Sequence, residues 1–194
     1  MKRIYTLLFV SLIAFAASAQ DLTILHLNDT HSHIDPQRGG KNPGQGGVIE
    51  QAAFVDSVRL AVGRKNVLLV HAGDFSRGTS YFSELNGDIE VNVLNAMQYD
   101  AVTLGNHEFD YGLDRLYELS DMLDTKPVCA NFKKIGEGEC FAPYSIVNYG
   151  EVEIAYIGIT TPNTPETTSF PSQFVDENKN PLYKKKKNDL ASVV

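Results

Sequence analysis

Three short clusters of polar residues in this sequence carry side chains that can bind metal ions. The clusters are Asn28-Asp29-Thr30-His31, Gly73-Asp74 and Gly105-Asn106-His107-Glu108. Asp29 and His31 stand two residues apart, so in extended chain both side chains leave on the same side and can reach one ion. Carboxylate, imidazole and amide groups together suit zinc, manganese or iron better than an all-oxygen calcium site. The clusters therefore predict a transition-metal centre.

The second and third clusters extend this prediction to two metals and an oriented histidine. Asp74 lies on a tight Gly-Asp turn and can offer one carboxylate oxygen to each of two ions, while Asn106 can supply a carbonyl oxygen to the second. His107 is predicted to point at a substrate instead, because adjacent side chains diverge. Asp110 can accept a hydrogen bond from the His107 ring and fix its tautomer.

Each cluster follows a short apolar segment that is typical of a buried parallel strand. The predicted strands cover 22–27, 67–72 and 101–105, and helical patterns cover 48–62, 88–97 and 113–123. This alternation predicts an α/β fold with a mostly parallel sheet and flanking helices. Because ligand sites collect at the carboxyl ends of such strands, the clusters should converge. Turn chemistry explains any one cluster, but it does not explain three that each supply a metal-binding side chain.

The rest of the chain gives weaker patterns. Residues 127–132 are predicted to form a fourth strand, and residues 144–160 a hairpin that turns at Tyr149-Gly150 with its second arm buried. Residues 161–171 are rich in Pro, Thr and Ser and are predicted to be loop. Residues 176–194 lack periodicity and are predicted to form a solvated tail.

The first nineteen residues have the features of a secretory signal peptide that is cut after Ala19. The apolar run falls short of the ~20 residues that a membrane-spanning helix needs, which disfavours that alternative. The residue directly after the cleavage site is Gln20 and not a cysteine, so no lipid anchor is expected there and no membrane anchor after cleavage. The sequence therefore predicts an exported protein, either periplasmic or secreted.

The charge balance restricts the partners. Two of the 17 basic residues, Lys2 and Arg3, lie in the predicted signal peptide, which leaves 15 against 24 acidic residues and a net charge of −9. A surface of this sign repels nucleic-acid polymers and anionic lipid. An anionic ligand would therefore need a local cation, and a metal ion would provide it.

The two cysteines leave their redox state open. Cys129 and Cys140 lie in a chain that is predicted to enter a compartment permitting disulfides, so a bridge and two free thiols are both possible. Neither cysteine has metal-type spacing or a histidine nearby in sequence, and the chain has no G-x-S-x-G motif. A covalent mechanism is therefore not indicated.

Four longer strings carry a resemblance to a known family. They are LHLNDTHSH, GDFSRGT, GNHEFDYG and EIAYIGITTPNT. Together they resemble the calcineurin-like metallophosphoesterase superfamily and, within it, the exported 5′-nucleotidase family, from about Leu22 to Phe174. The resemblance implies the first half of an α/β/β/α sandwich over residues 20–175, followed by a non-family tail over 176–194.

The resemblance also implies roles for individual residues. It makes Asp29 and His31 ligands of the first metal, Asp74 the bridging ligand, Asn106 a ligand of the second metal, and His107 the residue on the scissile phosphate, paired with Asp110. Asn106 and His107 would contact the substrate, and Glu108 receives no role.

The implied reaction is hydrolysis of nucleotide phosphate esters by a metal-bridging hydroxide, with two divalent ions of the Zn, Mn, Fe or Co type. Members of the family also include 2′,3′-cyclic-nucleotide phosphodiesterases and UDP-sugar hydrolases. Phosphate monoesters need accelerations up to ~10²¹, whereas one acid or base supplies roughly 10²- to 10⁴-fold. Two metals are therefore the expected main agent.

This sequence departs from the family pattern in one respect, and the departure leaves alternative functions open. The resemblance implies further ligand histidines and a C-terminal domain, yet no histidine follows His107. The second metal then keeps two ligands, fewer than usual, and one face of the sheet is expected to be uncovered. We expect a truncated chain, and the lysine run 184–187 is consistent with a shifted reading frame. The alternatives are an inactive exported fragment with weak metal binding and a purely structural module, although the latter leaves the clusters unexplained.

Overall fold

The computed structural model describes residues 21–150 and 152–183. The predicted signal peptide therefore lies outside the described residues, as do the lysine run and the rest of the predicted tail. Among the described residues, no helix has the length and apolar character that crossing a bilayer requires.

Three parallel strands form the central sheet. They are β1 (Thr23–Leu27), β2 (Val67–His71) and β3 (Ala101–Val102), in the spatial order β1-β2-β3. Leu25 pairs with Leu69 and Val70 pairs with Ala101, so the carboxyl ends of the strands lie at one edge. The predicted parallel α/β arrangement is confirmed. The third strand is shorter than predicted, because the chain after Thr103 turns away into the loop that carries the third cluster.

Five α-helices accompany the sheet in the described residues. They are α1 (Val48–Val62), α2 (Ser80–Leu85), α3 (Asp88–Met97), α4 (Leu113–Met122) and α5 (Thr164–Thr167). Short 3₁₀ turns occupy Arg64–Asn66, His107–Phe109 and Pro171–Phe174. The predictions for α1 and α3 are confirmed at both ends, and α4 ends one residue early because Leu123 takes an extended backbone conformation. The segments α2 and α5 are too short for a 3.6-residue periodicity to predict them.

Two apolar cores hold these elements together. The first lies between the sheet and the helices α1 and α3, where Leu69, Val91 and Val102 are at most 1% exposed. The second is aromatic and lies beneath the loop after β3, where Phe109, Phe132 and Phe174 pack with ring centroids 5.0 to 6.0 Å apart. The polar clusters therefore rest on buried and closely packed supports.

The sheet has an uncovered side at β1. Leu25 and Leu27 pack against the first core, whereas Ile24 is 56% exposed and His26 is also exposed. Alternate residues of a strand point to opposite faces, so the face opposite α1 and α3 is open here in the part of the chain that the structure describes.

The predicted fourth strand at 127–132 is wrong. Val128 makes isolated parallel bridges to Thr103 on one side and to Ala142 on the other. Pro127 has no backbone N–H to donate, and the chain turns at Ala130-Asn131. These residues therefore cross between neighbours without forming a continuous ladder.

The predicted hairpin is confirmed, but the predicted burial of its second arm is wrong. The strands β6 (Tyr144–Tyr149) and β7 (Val152–Ile157) pair antiparallel. Residues of β7 are exposed or half-buried, and Val152 and Ile157 are 54% and 43% exposed. The apolar run in this arm has no cover among the described residues. A smaller unpredicted hairpin precedes it, made of β4 (Lys133–Lys134) and β5 (Gly138–Glu139).

The segment 176–183 was assigned to a solvated tail from the sequence; its residues 177–181 are exposed, but its end at Leu182 and Tyr183 is packed. Leu182 donates its backbone N–H to the Phe174 carbonyl at 2.8 Å. Tyr183 is 8% exposed and stacks on Phe132 with ring centroids 4.5 Å apart. Tyr183 thus belongs to the aromatic core. The sequence did not predict this contact, because the segment has no periodic pattern of apolar residues.

Both cysteines are free thiols in the structure. Burial raises the pKa of the Cys129 thiol to about 11. A thiol with so high a pKa is a poor nucleophile near neutral pH.

Candidate metal centre

The loops after β1 and β2 run side by side beyond the ends of the strands. Asp29 and His31 donate their backbone N–H groups to the carbonyls of Gly73 and Asp74, at 3.0 and 3.1 Å. Asp29, His31 and Asp74 all adopt positive φ, between 44° and 54°. This left-handed conformation is disfavoured for residues other than glycine and clusters at functional sites. The strained turns direct three potential ligands to one place.

These three residues form a group that can hold a metal ion. One ligand atom from each of Asp29, His31 and Asp74 lies within 4.8 Å of the others. His31 Nδ1 contacts the Ser76 carbonyl at 3.2 Å, and since a carbonyl only accepts, Nδ1 carries the proton. Nε2 therefore keeps its lone pair, 3.6 Å from Asp29 Oδ1. Two carboxylates and an imidazole held in this tautomer fit a divalent transition metal.

The loop after β3 packs against the loop after β2, backbone to backbone. A Cβ on Gly73 would lie 2.7 Å from the Leu104 carbonyl carbon, and a Cβ on Gly105 would lie 2.7 Å from the Asp74 nitrogen. The two glycines therefore permit a close approach that side chains would prevent. This approach places the third cluster beside Asp74.

Asn106 immediately precedes the 3₁₀ turn and is half-buried. Its neighbour His107 donates its backbone N–H to Asp74 Oδ1 at 2.9 Å, so the backbone at Asn106 lies next to the Asp74 carboxylate. The role of Asn106 as a ligand of a second ion stays a prediction.

His107 and the buried Asp110 form a pair beside the metal group. His107 Nδ1 lies 2.8 Å from Asp110 Oδ2, and the Asp110 side chain is 2% exposed. A carboxylate accepts, so Nδ1 carries the proton and Nε2 presents a lone pair. The His107 ring centroid lies 5.3 Å from that of His31. The two histidines therefore line the same place.

Asp110 is held by donors from three parts of the chain. Thr168 Oγ1 and the Ser169 N–H donate to Oδ1 at 2.8 and 2.5 Å, and Arg77 Nη1 donates to Oδ2 at 3.0 Å. Burial acts to raise the pKa of Asp110, but hydrogen bonds from Ser169, His107 and Thr168 outweigh it and lower that pKa below its ordinary value. The carboxylate therefore stays ionised and orients His107.

The geometry can be compared with known proteins. The model of the calcineurin-like phosphoesterase family matches residues 22–193. This chain belongs to that family. The match begins at the first residues of β1 and extends beyond residue 175, where the tail was predicted to start.

Several curated relatives of this calcineurin-like phosphoesterase are 5′-nucleotidases. The snake venom 5′-nucleotidase of Crotalus adamanteus is 36% identical over 168 residues, which are 81% of this chain and 28% of the relative. The NAD 5′-nucleotidase of Haemophilus influenzae is 35% identical over 175 residues, 84% of this chain and 29% of the relative. The chain thus spans less than a third of the length of these relatives.

Solved structures give the same result. The 5′-nucleotidase precursor from Thermus thermophilus is 37% identical with a TM-score of 0.64, and covers 74% of this chain and 29% of its own. The calcineurin-like phosphoesterase YfkN from Bacillus subtilis is 30% identical with a TM-score of 0.64, and covers 75% of this chain and 50% of its own. The fold of this calcineurin-like phosphoesterase is therefore shared with solved members of the family.

Several residues around the phosphoesterase site escaped the sequence analysis. Thr168 and Ser169 come from the segment that was predicted to be plain loop, about sixty positions after Asp110 in sequence, and nothing in their pattern announces the contact. Arg77 lies in the GDFSRGT string, but the sequence analysis assigned roles only to the metal-binding residues and their neighbours and gave Arg77 none. Its guanidinium reaches both Asp110 and the ring of His107, which lies 3.2 Å away.

Two buried glutamates also belong to this neighbourhood. Glu90 on α3 is 4% exposed and accepts a hydrogen bond from the Ser32 hydroxyl, and burial raises its pKa. Glu108 is 3% exposed. Burial and then the charge of Asp74 raise the pKa of Glu108 to about 7, although three backbone hydrogen bonds oppose the rise. Burying a carboxylate is costly unless hydrogen bonds or an ion pair compensate for the lost water.

The buried histidine His71 makes the stability of the folded chain depend on pH. The Gly73 N–H donates to His71 Nδ1 at 3.1 Å, so Nε2 carries the proton and donates to Thr30 Oγ1, also at 3.1 Å. Burial, with a smaller effect of His26, lowers the pKa of His71 from 6.5 to about 4. The unfolded chain therefore binds this proton more readily, and stability is lost as pH falls from 6.5 towards 4.

We expect His71→Gln to remove this acid sensitivity, because the amide can accept from Gly73 and donate to Thr30 without taking up a proton. Urea unfolding at pH 7 and pH 4 measures the effect. The gap in unfolding free energy between wild type and His71→Gln should shift by about 2 to 3 kcal/mol in favour of the variant at the lower pH. An equal gap at both pH values would contradict the buried neutral histidine.

Proposed function

We propose that this chain carries the metal-binding part of a 5′-nucleotidase-type hydrolase that releases phosphate from nucleotides. The observation that carries the proposal is the convergence of Asp29, His31 and Asp74 beside the pair His107–Asp110. The relatives named above, a 5′-nucleotidase and an NAD 5′-nucleotidase, support a nucleotide substrate. Cyclic-nucleotide phosphodiesterase and UDP-sugar hydrolase activities are alternatives within the class.

The proposed cofactors are two divalent ions of the Zn, Mn, Fe or Co type. Asp29 and His31 would hold the first, Asp74 both, and Asn106 the second. When bound, such a pair supplies an activated water and neutralises charge on the phosphoryl oxygens. The tautomer of His31, with Nε2 free, supports its role as a ligand.

The chain's own residues would then orient and stabilise the phosphate. His107 Nε2 points away from Asp110; once it has taken up a proton from water, it can donate a hydrogen bond to a phosphoryl oxygen or pass that proton to the leaving oxygen. Arg77 adds a fixed positive charge beside His107, and its side chain is 46% exposed. A solvent-accessible guanidinium next to the histidine favours an anionic substrate.

We further propose that the protein is exported, to the periplasm or outside the cell, as residues 1–19 indicate. The family domain would occupy residues from 20 onward. The negative net charge of the sequence supports a small nucleotide over a nucleic-acid polymer, because a polymer would meet repulsion over a much larger surface.

A second candidate is an exported fragment without catalytic activity that binds one metal weakly. The observation that favours it is the donor set. Among the described residues, one group of three His, Asp or Glu ligands is present, formed by Asp29, His31 and Asp74. Within the described residues, Asp74 and Asn106 are the candidate ligands of a second ion, fewer than a tightly held ion usually has.

Phosphate release from AMP tests the proposed function. Wild type, His107→Gln and His33→Gln are assayed with added Mn²⁺ or Zn²⁺ at matched metal occupancy. We expect His107→Gln to lower kcat by roughly 10²- to 10⁴-fold, the usual contribution of one positioned acid or base. His33 is an exposed histidine near the site whose Nδ1 contacts the Thr30 carbonyl, and its replacement should change the rate less than about 2-fold. Equal rates for wild type and His107→Gln would reject the proposed role, and no turnover at full metal occupancy would favour the second candidate.

A further inference from the structure

Glu108 is buried directly behind the metal group and has no part in the proposed reaction. Its side chain lies on the 3₁₀ turn His107–Phe109, one residue after the histidine that faces the substrate. It is 3% exposed. A buried carboxylate in this place needs partners, because an isolated charge away from water is strongly disfavoured.

Three backbone N–H groups satisfy it. Oε2 accepts from the Asp74 nitrogen at 2.9 Å and from the Gly105 nitrogen at 2.7 Å. Oε1 accepts from the Ser76 nitrogen at 3.0 Å. When Glu108 is ionised, all three bonds are charge-assisted, which makes them stronger than bonds between neutral groups.

The donors lie on different loops. Asp74 and Ser76 belong to the loop after β2, while Gly105 belongs to the loop after β3. These are the loops whose glycines pack backbone to backbone. One side chain therefore joins the loop after β2 to the loop after β3.

Asp74 is the residue most constrained by this arrangement. Its φ of 54° is disfavoured for an aspartate, and its N–H is fixed by Glu108. On the other side its Oδ1 accepts from the His107 N–H at 2.9 Å. The backbone and carboxylate of Asp74 are thus both held by the 3₁₀ turn, which sets the direction in which its free oxygen points.

We propose that Glu108 is a positioning residue that holds Asp74 in the geometry for bridging metal ions, by clamping the loops after β2 and β3 through three backbone hydrogen bonds. The inference rests on the proposed metal centre, and it assigns to Glu108 a task that none of the metal ligands performs. Because Glu108 acts through Asp74, replacing Glu108 should change both the metal affinity and the geometry of the ligands around the metal.

The test uses Co²⁺, whose visible absorption reports the geometry of its ligands. Wild type and Glu108→Gln are stripped of metal and titrated with Co²⁺, and the dissociation constant and the absorption spectrum are recorded. Glutamine has almost the same shape, but its NH₂ group would face backbone N–H donors and cannot accept from them. We expect the dissociation constant to rise about 10- to 100-fold, as for other partners that orient metal ligands, and the absorption band to shift or weaken.

A buried control separates positioning from general stability. Leu123→Ala removes a side chain that is 2% exposed at the end of α4, in the first core, and should lower the melting temperature without altering the Co²⁺ spectrum. If Glu108→Gln behaves in the same way, with a lower melting temperature and a wild-type spectrum and affinity, the proposal is overturned.

Two further results also test the proposal: a Glu108→Gln variant that does not fold, and a wild type that does not bind Co²⁺. If Glu108→Gln does not fold, Glu108→Asp is compared instead, because the shorter carboxylate keeps its charge but cannot reach all three donors. A folded Glu108→Asp with wild-type Co²⁺ affinity and spectrum overturns the proposal, while weaker binding with an altered spectrum supports it. Failure of the wild type to bind Co²⁺ overturns the proposed metal centre itself, and is distinguishable because no variant is needed to observe it.

Discussion

Replacing Gly105 by alanine is expected to abolish metal binding by this chain. A Cβ at this position would lie 2.7 Å from the backbone nitrogen of Asp74, and real Cβ atoms do not approach that closely. The loops after β2 and β3 must then separate, which breaks the bond from the Gly105 N–H to Glu108. We expect Gly105→Ala to lose about 3 kcal/mol of stability and more than about 100-fold in metal affinity.

Urea unfolding and metal titration measure the two losses. Gly39→Ala is the matched control, because a Cβ on Gly39 meets nothing within 4 Å. That variant should stay within about 0.5 kcal/mol of wild type and bind metal normally. Wild-type metal affinity in Gly105→Ala would show that the close approach of the two loops does not build the site.

The second large effect is expected for Asp74→Asn, which removes one negative charge from the centre of the metal group. The amide oxygen can still accept the His107 N–H, now made at 2.9 Å, so the local backbone should persist. The charge that binds cations is lost, and metal affinity should fall by more than about 100-fold. The metal-free protein should not be destabilised, because the charge of Asp74 contributes to the raised pKa of Glu108.

Calorimetric titration with Mn²⁺ or Zn²⁺ gives the affinity, and thermal unfolding of the metal-free forms gives the stability. Asp114→Asn, a change of the same charge at an exposed position on α4, is the control. It should bind metal like wild type. Equal affinities for Asp74→Asn and wild type would remove Asp74 from the ligand set.

The parts of this fold that sequence patterns predicted are those with a strong local signal. The apolar runs that became β1 and β2 and the periodic segments that became α1 and α3 are long enough to determine their own structure. The three polar clusters were predictable as a group, because parallel strands end at one edge of the sheet. Asp29, His31 and Asp74 therefore came together as the topology required.

The parts that were missed depend on contacts between distant segments. Thr168 and Ser169 bind Asp110, and Tyr183 joins the aromatic core, although neither stretch has a period that indicates burial. The second arm of the hairpin, β7, reads as buried from its apolar residues, yet burial also depends on a covering layer. Glu108 received no role from the sequence, because only the folded loops supply its three N–H donors.

Phosphate release from AMP before and after restoring metal tests the central claim most directly. The wild-type chain is stripped with a chelator, incubated with AMP, and then supplied with Mn²⁺ or Zn²⁺ until the site formed by Asp29, His31 and Asp74 is saturated. The account predicts no release from the stripped protein and sustained release once metal is bound. Release at the same rate with and without metal, or none from the saturated protein, would contradict it.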